Sequence, residues 1–360
     1  MVLRRASPLL TWGLGRRLRA LIPYLVATVV TLVCVEVVLY RDYRTSAAPQ
    51  GIAGPLLASY YLEHDVTLIQ LEEACARYDQ ELTYTLRPGQ CRFGGREFDT
   101  LVRVNSLGLR DDEASLEQPR IIVLGDSFAM GWGVEQEQSF PELLERELGR
   151  PVLNAAIASY GTAREIMSLR RLDCSALEVL VIQYHPNDFV ENRAFLEHAA
   201  RLPTRDEASY RRRIADYRRR TSGYRPGGML YKVLRRTRTA VARGLRSAGA
   251  ERRRSSRTPR AQAEAFVGVL RASPVRLEGV TILIVEAGAT EGAEGGFITA
   301  LKEAQREAEV PTFIRELHAV PVAPHLSPED SFAWDGHYRA SGHRIVADRL
   351  LAKLRELEFH

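Results

Sequence analysis

Three side chains in this sequence are of the types that carry out acyl transfer between esters. Ser127 follows the apolar run IIVL and the turn-forming pair Gly125-Asp126, and a serine hydroxyl presented by such a turn is a potential nucleophile. His337 is suited to take its proton, since an imidazole titrates near neutrality. Asp335 can fix the tautomer of that imidazole and stabilise the imidazolium. The set predicts a serine nucleophile with a histidine base and an orienting acid.

The same chemistry needs donors for a developing oxyanion. The side-chain amide of Asn187 and the backbone N–H groups of Ser127 and Ser159 are the candidates. Taken singly, each residue has a plain structural reading as a turn former, a helix cap or a surface side chain. Three neighbouring residues are predicted to contact substrate: Asp126, Gly161 and Asp188.

Alternating strand and helix patterns place these residues at one edge of a sheet. The strand-like runs are IIVLG, PVLN, EVLVIQY and VTILIVEAG; the helical runs are SFPELLEREL, AREIMSLRRL and GHRIVADRLLAKLREL. Ser139 and Glu142 stand at capping-box spacing in the first helix. The alternation predicts a parallel sheet covered on both faces, with the working residues at the carboxyl ends of its strands.

Four blocks of the sequence, in this order, resemble the SGNH (GDSL-type) hydrolases. They are GDSFAMGWG, NAAIASYGT, HPND and WDGHYRASGH, preceded by the stretch RVNSLGLRDDE. The resemblance covers about residues 100–198 and 280–355. It implies a flavodoxin-like, three-layer α/β/α sandwich, no metal or other cofactor, and ester hydrolysis or acyl transfer with Ser127 as nucleophile.

The chain departs from the pattern of this family at two positions. The second block usually offers a glycine N–H to the oxyanion, and here Ser159 holds that place, with Gly161 the next glycine. Many members carry the acid three residues before the histidine, but that position is Trp334 here. Asp335, two residues before His337, is therefore the predicted acid, as in envelope polysaccharide acyltransferase-like members.

Residues 21–40 form an apolar stretch long enough to cross a bilayer as a helix. Five arginines and no acid precede it, and two arginines with one aspartate closely follow it. The positive-inside rule then keeps residues 1–20 in the cytoplasm and places the rest on the extracytoplasmic side, as a single-pass membrane protein. A cleaved signal peptide is the alternative, although its apolar region would normally be shorter.

Beyond the span we expect a linker over 41–57, a preface over 58–118 and the SGNH-like domain over 119–360. In an oxidising compartment Cys75 and Cys91 could close a short loop as a disulfide. All exported cysteines could equally be buried small hydrophobic residues.

Residues 201–260 interrupt the strand–helix rhythm as a basic insertion. They hold 19 arginines and one lysine against four acidic residues, whereas the whole chain of 360 residues has a net charge of +5. The insertion is either a solvated surface or a site for anionic lipid or acidic glycan. Nucleic acid is not expected as a partner of an exported domain.

Two functions remain open on the sequence. One is an esterase or O-acyltransferase acting on acyl groups, chiefly acetyl, of an envelope or extracellular polysaccharide. The other is a non-catalytic, membrane-anchored protein that binds anionic glycan or lipid through the insertion. A Ser127–His337 separation too large for a hydrogen bond would favour the second.

Overall fold

The computed structural model describes residues 8–221, 223–244, 258–288, 296–307 and 309–359. The chain forms two compact units. The helical unit comprises Met1–Glu63 and Gly223–Arg246, and the sheet unit comprises His64–Ser222 and Ser247–His360.

A long helix, α1 (Pro8–Thr45), dominates the helical unit. Its segment Ala20–Thr45 is long and apolar enough to span a membrane, and the most apolar 18 consecutive residues in it have a mean hydropathy of 2.3. The helix α2 (Gly54–His64) follows. The expected linker over 41–57 is therefore too long: helical structure takes up both of its ends and leaves residues 46–53 as the connection.

The basic insertion is divided between the two units. Its first helix, α7 (Glu207–Thr221), lies in the sheet unit, and its second, α8 (Gly228–Gly244), packs on α1 in the helical unit. Residues 245–257 of the predicted insertion lie outside the described residues.

Two antiparallel hairpins form the preface of the sheet unit. The first pairs β1 (Ala76–Asp79) with β2 (Thr83–Leu86), and the second pairs β3 (Gly89–Gly94) with β4 (Asp99–Val104). Strands β2 and β4 lie on the β-branched and aromatic runs ELTYTL and TLVRV of the sequence. The structure joins Cys75 and Cys91 by a disulfide, which links the entry of β1 to β3.

A five-stranded parallel sheet forms the centre of the unit. Its strands are β5 (Ile121–Leu124), β6 (Val152–Asn154), β7 (Val179–Tyr184), β8 (Thr281–Glu286) and β9 (His318–Val320). They lie in the order β6-β5-β7-β8-β9, which is the flavodoxin-like order 2-1-3-4-5. The predicted parallel sheet is confirmed; the three-residue edge strand β9 was missed.

Helices cover both faces of the sheet, because alternate residues of each strand point to opposite sides. Ile122 and Leu124 pack in one hydrophobic cluster, and Ile121 and Val123 pack in the other. The first face is covered by α5 (Thr162–Ser168), α9 (Pro259–Arg271) and α10 (Gly296–Ala304), and the second by α4 (Phe140–Leu148) and α12 (Ala340–Glu356). Two further helices are α6 (Asp188–Glu197) and α11 (Thr312–Arg315).

The predicted helix after Ser139 is present, but its predicted capping box is not. The Ser139 hydroxyl makes no cap bond to α4, and the Glu142 carboxylate accepts a hydrogen bond from Gln136 at 2.8 Å instead. Pro141 in the first turn removes an N–H that would otherwise need a partner.

Candidate active site

Ser127 is the first residue of the short helix α3 (Ser127–Met130), which begins where β5 ends. Two side chains hold this turn. Asp126 caps α3 by accepting the Phe128 N–H at 3.0 Å. Gln183 on the neighbouring strand β7 accepts the Asp126 and Ala129 N–H groups at 3.0 and 3.2 Å. The serine is thus fixed between two adjacent strands, at the point where the strand order reverses.

The structure brings Ser127, His337 and Asp335 into one hydrogen-bonded chain. Nε2 of His337 lies 2.6 Å from Oγ of Ser127, and Nδ1 of the same ring bonds Oδ1 of Asp335. A neutral imidazole that donates from Nδ1 to the carboxylate leaves Nε2 free to accept the serine proton. This is the arrangement that the sequence predicted, including an acid only two residues before the histidine.

Gly336 accounts for that short Asp-x-His spacing. Its φ is +83°, a left-handed conformation that a residue with a Cβ seldom adopts. The turn also brings the His337 N–H to within 3.2 Å of Oδ1 of Asp335. The carboxylate therefore binds both the backbone and the ring of the residue that it orients.

Asp335 remains ionised because it receives several hydrogen bonds. Burial acts to raise the pKa of this carboxyl, but the bonds from His337 and from the Trp132 indole outweigh burial and lower the pKa below 3.8. Nε1 of Trp132 lies 2.9 Å from Oδ2 of Asp335. The indole also stacks on the His337 ring, with 4.7 Å between the centroids. Trp132 thus contacts both the acid and the base.

Two residues of the preface position the loops on which these side chains stand. The buried Arg110 guanidinium donates to the carbonyls of Gly131 and Val134, on either side of Trp132. The Glu97 carboxylate accepts the Ala333 and Trp334 N–H groups, each at 2.8 Å. No pattern in the sequence predicted the roles of Trp132, Glu97 or Gln183, although Trp132 lies within the block GDSFAMGWG.

The Ser159 backbone has the left-handed conformation expected for a glycine at this position. Its φ is +62°, and its hydroxyl accepts a hydrogen bond from Gln70 Nε2 at 2.8 Å. Among the described residues, no protein acceptor receives the Ser159 N–H. Ser159 and Asn187 line one cavity of about 430 Å³ beside the sheet edge. Two of the predicted oxyanion donors therefore line the same cavity.

Of the predicted substrate contacts, Gly161 and Asp188 lie in the wall of this cavity, and Asp126 is not among its lining residues. Both aspartates are 1% exposed, and their carboxylates accept hydrogen bonds from the protein: Asp126 from Phe128, Asp188 from the Thr162 hydroxyl at 2.9 Å. The Gly161 N–H donates to the Glu191 carboxylate at 3.2 Å. These polar groups hold the loops at the strand ends. Because the Gly161 N–H is bound to Glu191 and the Ser159 N–H has no protein acceptor among the described residues, Ser159 is the better backbone donor for an oxyanion.

Within the described part of the chain, no group of three or more His, Cys, Asp or Glu side chains is placed to hold a metal ion.

No protein-family model and no curated protein matches this sequence. Several solved structures are similar in fold. A structure described as TesA has 15% identity and a TM-score of 0.34, covering 66% of this chain and 98% of its own. A putative G-D-S-L family lipolytic protein from Desulfitobacterium hafniense has 10% identity and a TM-score of 0.35, covering 64% and 96%. A family two carbohydrate esterase from Clostridium thermocellum, in complex with cellohexaose, has 13% identity and a TM-score of 0.36, covering 68% and 66%.

Three of the four blocks follow β5, β6 and β7, and the fourth leads into α12. These positions and the sheet order decide the fold. The fold is of the SGNH type. Because the similar structures all have low identities and TM-scores, the roles of individual residues rest on the geometry of this chain.

Proposed function

We propose that this chain is a serine esterase or O-acyltransferase that removes or transfers acyl groups, chiefly acetyl, on an envelope or extracellular polysaccharide. The observation that carries the proposal is the continuous chain from Ser127 Oγ through the His337 ring to the Asp335 carboxylate. A histidine held at both nitrogens in this way is prepared to remove the serine proton.

In the first half of the reaction, Ser127 Oγ attacks the ester carbonyl carbon while its proton passes to Nε2 of His337. The tetrahedral oxyanion is stabilised by the Asn187 amide and the N–H groups of Ser127 and Ser159. When the intermediate collapses, the ester C–O bond breaks and the imidazolium returns the proton to the departing sugar oxygen. An acyl-enzyme on Ser127 remains.

The second half decides between hydrolysis and transfer. A water molecule or a sugar hydroxyl attacks the acyl-enzyme, with His337 now taking the proton of the attacking oxygen and returning it to Ser127. Water yields a free acid, and a sugar hydroxyl yields a new ester. The same residues serve both outcomes, so the acceptor determines the reaction.

The alternative function, that of a non-catalytic binding protein, would be favoured if Ser127 and His337 were too far apart to form a hydrogen bond. The 2.6 Å separation removes that argument. The Ser127–His337 distance gives no information about the role of the basic insertion, for which the contacts of α8 are the relevant observation.

The test uses the full chain in detergent, with p-nitrophenyl acetate as substrate. We expect Ser127→Ala and His337→Ala each to lower kcat/KM by about three orders of magnitude, and the double variant to lose little more. Asn187→Ala should cost about 3 kcal/mol in the barrier. The exposed residues Ser175 and His325 supply matched alanine controls. Wild-type activity in Ser127→Ala would refute the proposal.

We also propose that the chain is a single-pass membrane protein with its sheet unit on the extracytoplasmic side. The span Ala20–Thr45, the arginines before it and the Cys75–Cys91 disulfide all support this topology.

For the insertion, we propose that α8 lies on the surface of anionic lipid. The Glu36 carboxylate, 5% exposed, accepts the Leu230 N–H at 2.9 Å and so fixes the start of α8 to the anchor helix. Tyr231 and Leu234 are 60% and 68% exposed, and Arg236 is exposed near them. Apolar and cationic side chains on one helix beside an anchor suit a lipid headgroup region.

A further inference from the structure

The cavity on the oxyanion side of the sheet edge receives its walls from three parts of the sheet unit. Ser159 and Asn187 belong to the strand-end loops, Tyr84 belongs to the preface, and Arg205 and Arg213 belong to the insertion. Its volume of about 430 Å³ lies in the range of small-molecule sites. A substrate whose ester carbonyl points at the oxyanion donors would extend into this cavity.

The two insertion arginines at the cavity, Arg205 just before α7 and Arg213 within it, differ from three other arginines of that helix. Arg211, Arg218 and Arg219 each form an ion pair, with Glu207, Glu73 and Asp216 respectively. Arg205 and Arg213 are exposed, and neither has an ion-pair partner among the described residues. Both of them line the cavity. The paired arginines already serve the fold, whereas these two guanidinium groups are available to a ligand.

A third guanidinium lies deeper in the wall. The Arg164 side chain is 12% exposed, pairs with Glu191 and lies 4.8 Å from the centroid of the Tyr160 ring. Its Nε is buried and has no hydrogen-bond partner among the described residues. The ion pair fixes the orientation of Arg164 and leaves one donor without an acceptor.

The acidic residues in the wall do not cancel these charges. Glu191 is neutralised by its ion pair with Arg164. Burial, followed by the nearby Asp126 carboxylate, raises the pKa of Asp188 well above its ordinary value. The cavity is therefore electropositive, with an aromatic lining that includes Tyr84, Tyr160 and Tyr210.

We infer that this cavity binds an acidic sugar residue of the polysaccharide, with Arg205 and Arg213 on its carboxylate and the tyrosines against its ring. Guanidinium groups bind carboxylates through paired N–H donors, and aromatic rings pack against the apolar faces of sugars. The inference rests on the proposed function for its substrate, and it narrows that substrate to an acylated acidic glycan. It also gives the first part of the insertion a role in selecting substrate.

The first experiment measures specificity with the full chain in detergent. Its substrates are O-acetylated oligogalacturonate, which is anionic, and O-acetylated xylo-oligosaccharide, which is neutral. In the double variant Arg205→Gln, Arg213→Gln, we expect the ratio of kcat/KM for the anionic ester to that for the neutral ester to fall about five- to tenfold, mainly through KM. Arg219→Gln, which removes a paired arginine on the same helix, should keep the wild-type ratio. An unchanged ratio in the double variant would overturn the inference.

A second experiment does not depend on catalysis. Binding of oligogalacturonate to the Ser127→Ala chain is measured by calorimetry, with and without the two arginine substitutions. Weaker binding in the arginine variant than in the Arg219→Gln control supports the acidic-sugar site even if the chain hydrolyses no ester. Equal binding in both variants refutes the site, whatever the esterase assays show. Circular dichroism confirms that each variant is folded.

Discussion

The hydrogen bond from Trp132 to Asp335 offers a sharp test of how the acid is held. Trp132→Phe keeps an aromatic ring against His337 but removes the Nε1–H that reaches Oδ2 of Asp335 at 2.9 Å. The indole is 3% exposed, so no bulk water replaces the lost donor. The Asp335 carboxylate then keeps its bonds to His337 and loses its third donor.

The size of the effect follows from the charge of the acceptor. A hydrogen bond to an ionised group contributes about 1.5–3 kcal/mol, roughly a 10- to 150-fold change in an equilibrium or rate. Asp335 is already ionised before the reaction begins, so the bond stabilises the ground state as well as the transition state. Only part of its free energy therefore lowers the barrier. We therefore expect kcat/KM for p-nitrophenyl acetate to fall about tenfold, with the pKa of Asp335 moving upward.

A double-mutant cycle separates this bond from simple packing. In the Asp335→Asn background, Trp132→Phe should have a much smaller effect than in the wild type, because the charged acceptor is already gone. Trp12→Phe, in α1, is the matched control and should leave kcat/KM unchanged. Strictly additive effects of the two substitutions would refute the assignment of Trp132 as the residue that positions Asp335.

Four further outcomes follow from the structure. Burial lowers the pKa of His343 from 6.5 to about 3, so the unfolded chain binds its proton more readily and the folded state loses stability as pH falls below 6.5. His343→Gln removes this titration, so the stability of the variant relative to the wild type should be about 2 kcal/mol more favourable at pH 5 than at pH 8, as urea unfolding can measure. Replacing Cys75 and Cys91 by serine should lower the free energy of unfolding by roughly 3 kcal/mol, and non-reducing peptide mapping should recover the pair from the wild type. Protease added to spheroplasts should digest the sheet unit, and complete protection would contradict the topology. The exposed arginines and apolar side chains of α8 predict that the chain binds anionic vesicles and that this binding weakens as salt rises. The double variant Tyr231→Ser, Leu234→Ser should bind these vesicles more weakly than the wild type. Equal binding by the two proteins would mean that α8 is only a solvated surface.

The sequence predicted the centre of the fold well because periodic apolar strands are local signals. The runs that became β5, β7 and β8 are apolar at every position or nearly so, which is typical of strands buried on both faces. The edge strand β9 has only three residues, too few for any period to emerge. The predicted capping box was wrong for a different reason. Glu142 stands at the right spacing from Ser139, but its carboxylate accepts a hydrogen bond from the Gln136 side chain instead.

Ser127 was predictable because it follows a recognisable strand, and Asp335 and His337 because they lie in a block that resembles the SGNH hydrolases. The residues that hold these three side chains were not, since their roles depend on contacts across distant parts of the chain. Glu97 and Trp334 are separated by 237 positions, and Gln70 and Ser159 by 89. The capping role of Asp126 was also missed, because its adjacency in sequence to Ser127 does not reveal that its carboxylate accepts the Phe128 N–H.

The preface is inseparable from the site in physical terms. Gln70 fixes the hydroxyl of Ser159, Glu97 fixes the backbone before Asp335, and Arg110 fixes the loop of Trp132. Each of these bonds restrains a different loop, and the three loops come from three different parts of the sheet. The described hydrogen bonds of the buried Arg110 guanidinium all go to backbone carbonyls of the Trp132 loop. Removing the guanidinium would leave these carbonyls without that partner, and removing the loop would leave the guanidinium buried without them. A catalytic domain cut to begin at residue 119 would therefore keep Ser127, His337 and Asp335 in its sequence and lose the contacts that hold them within bonding distance.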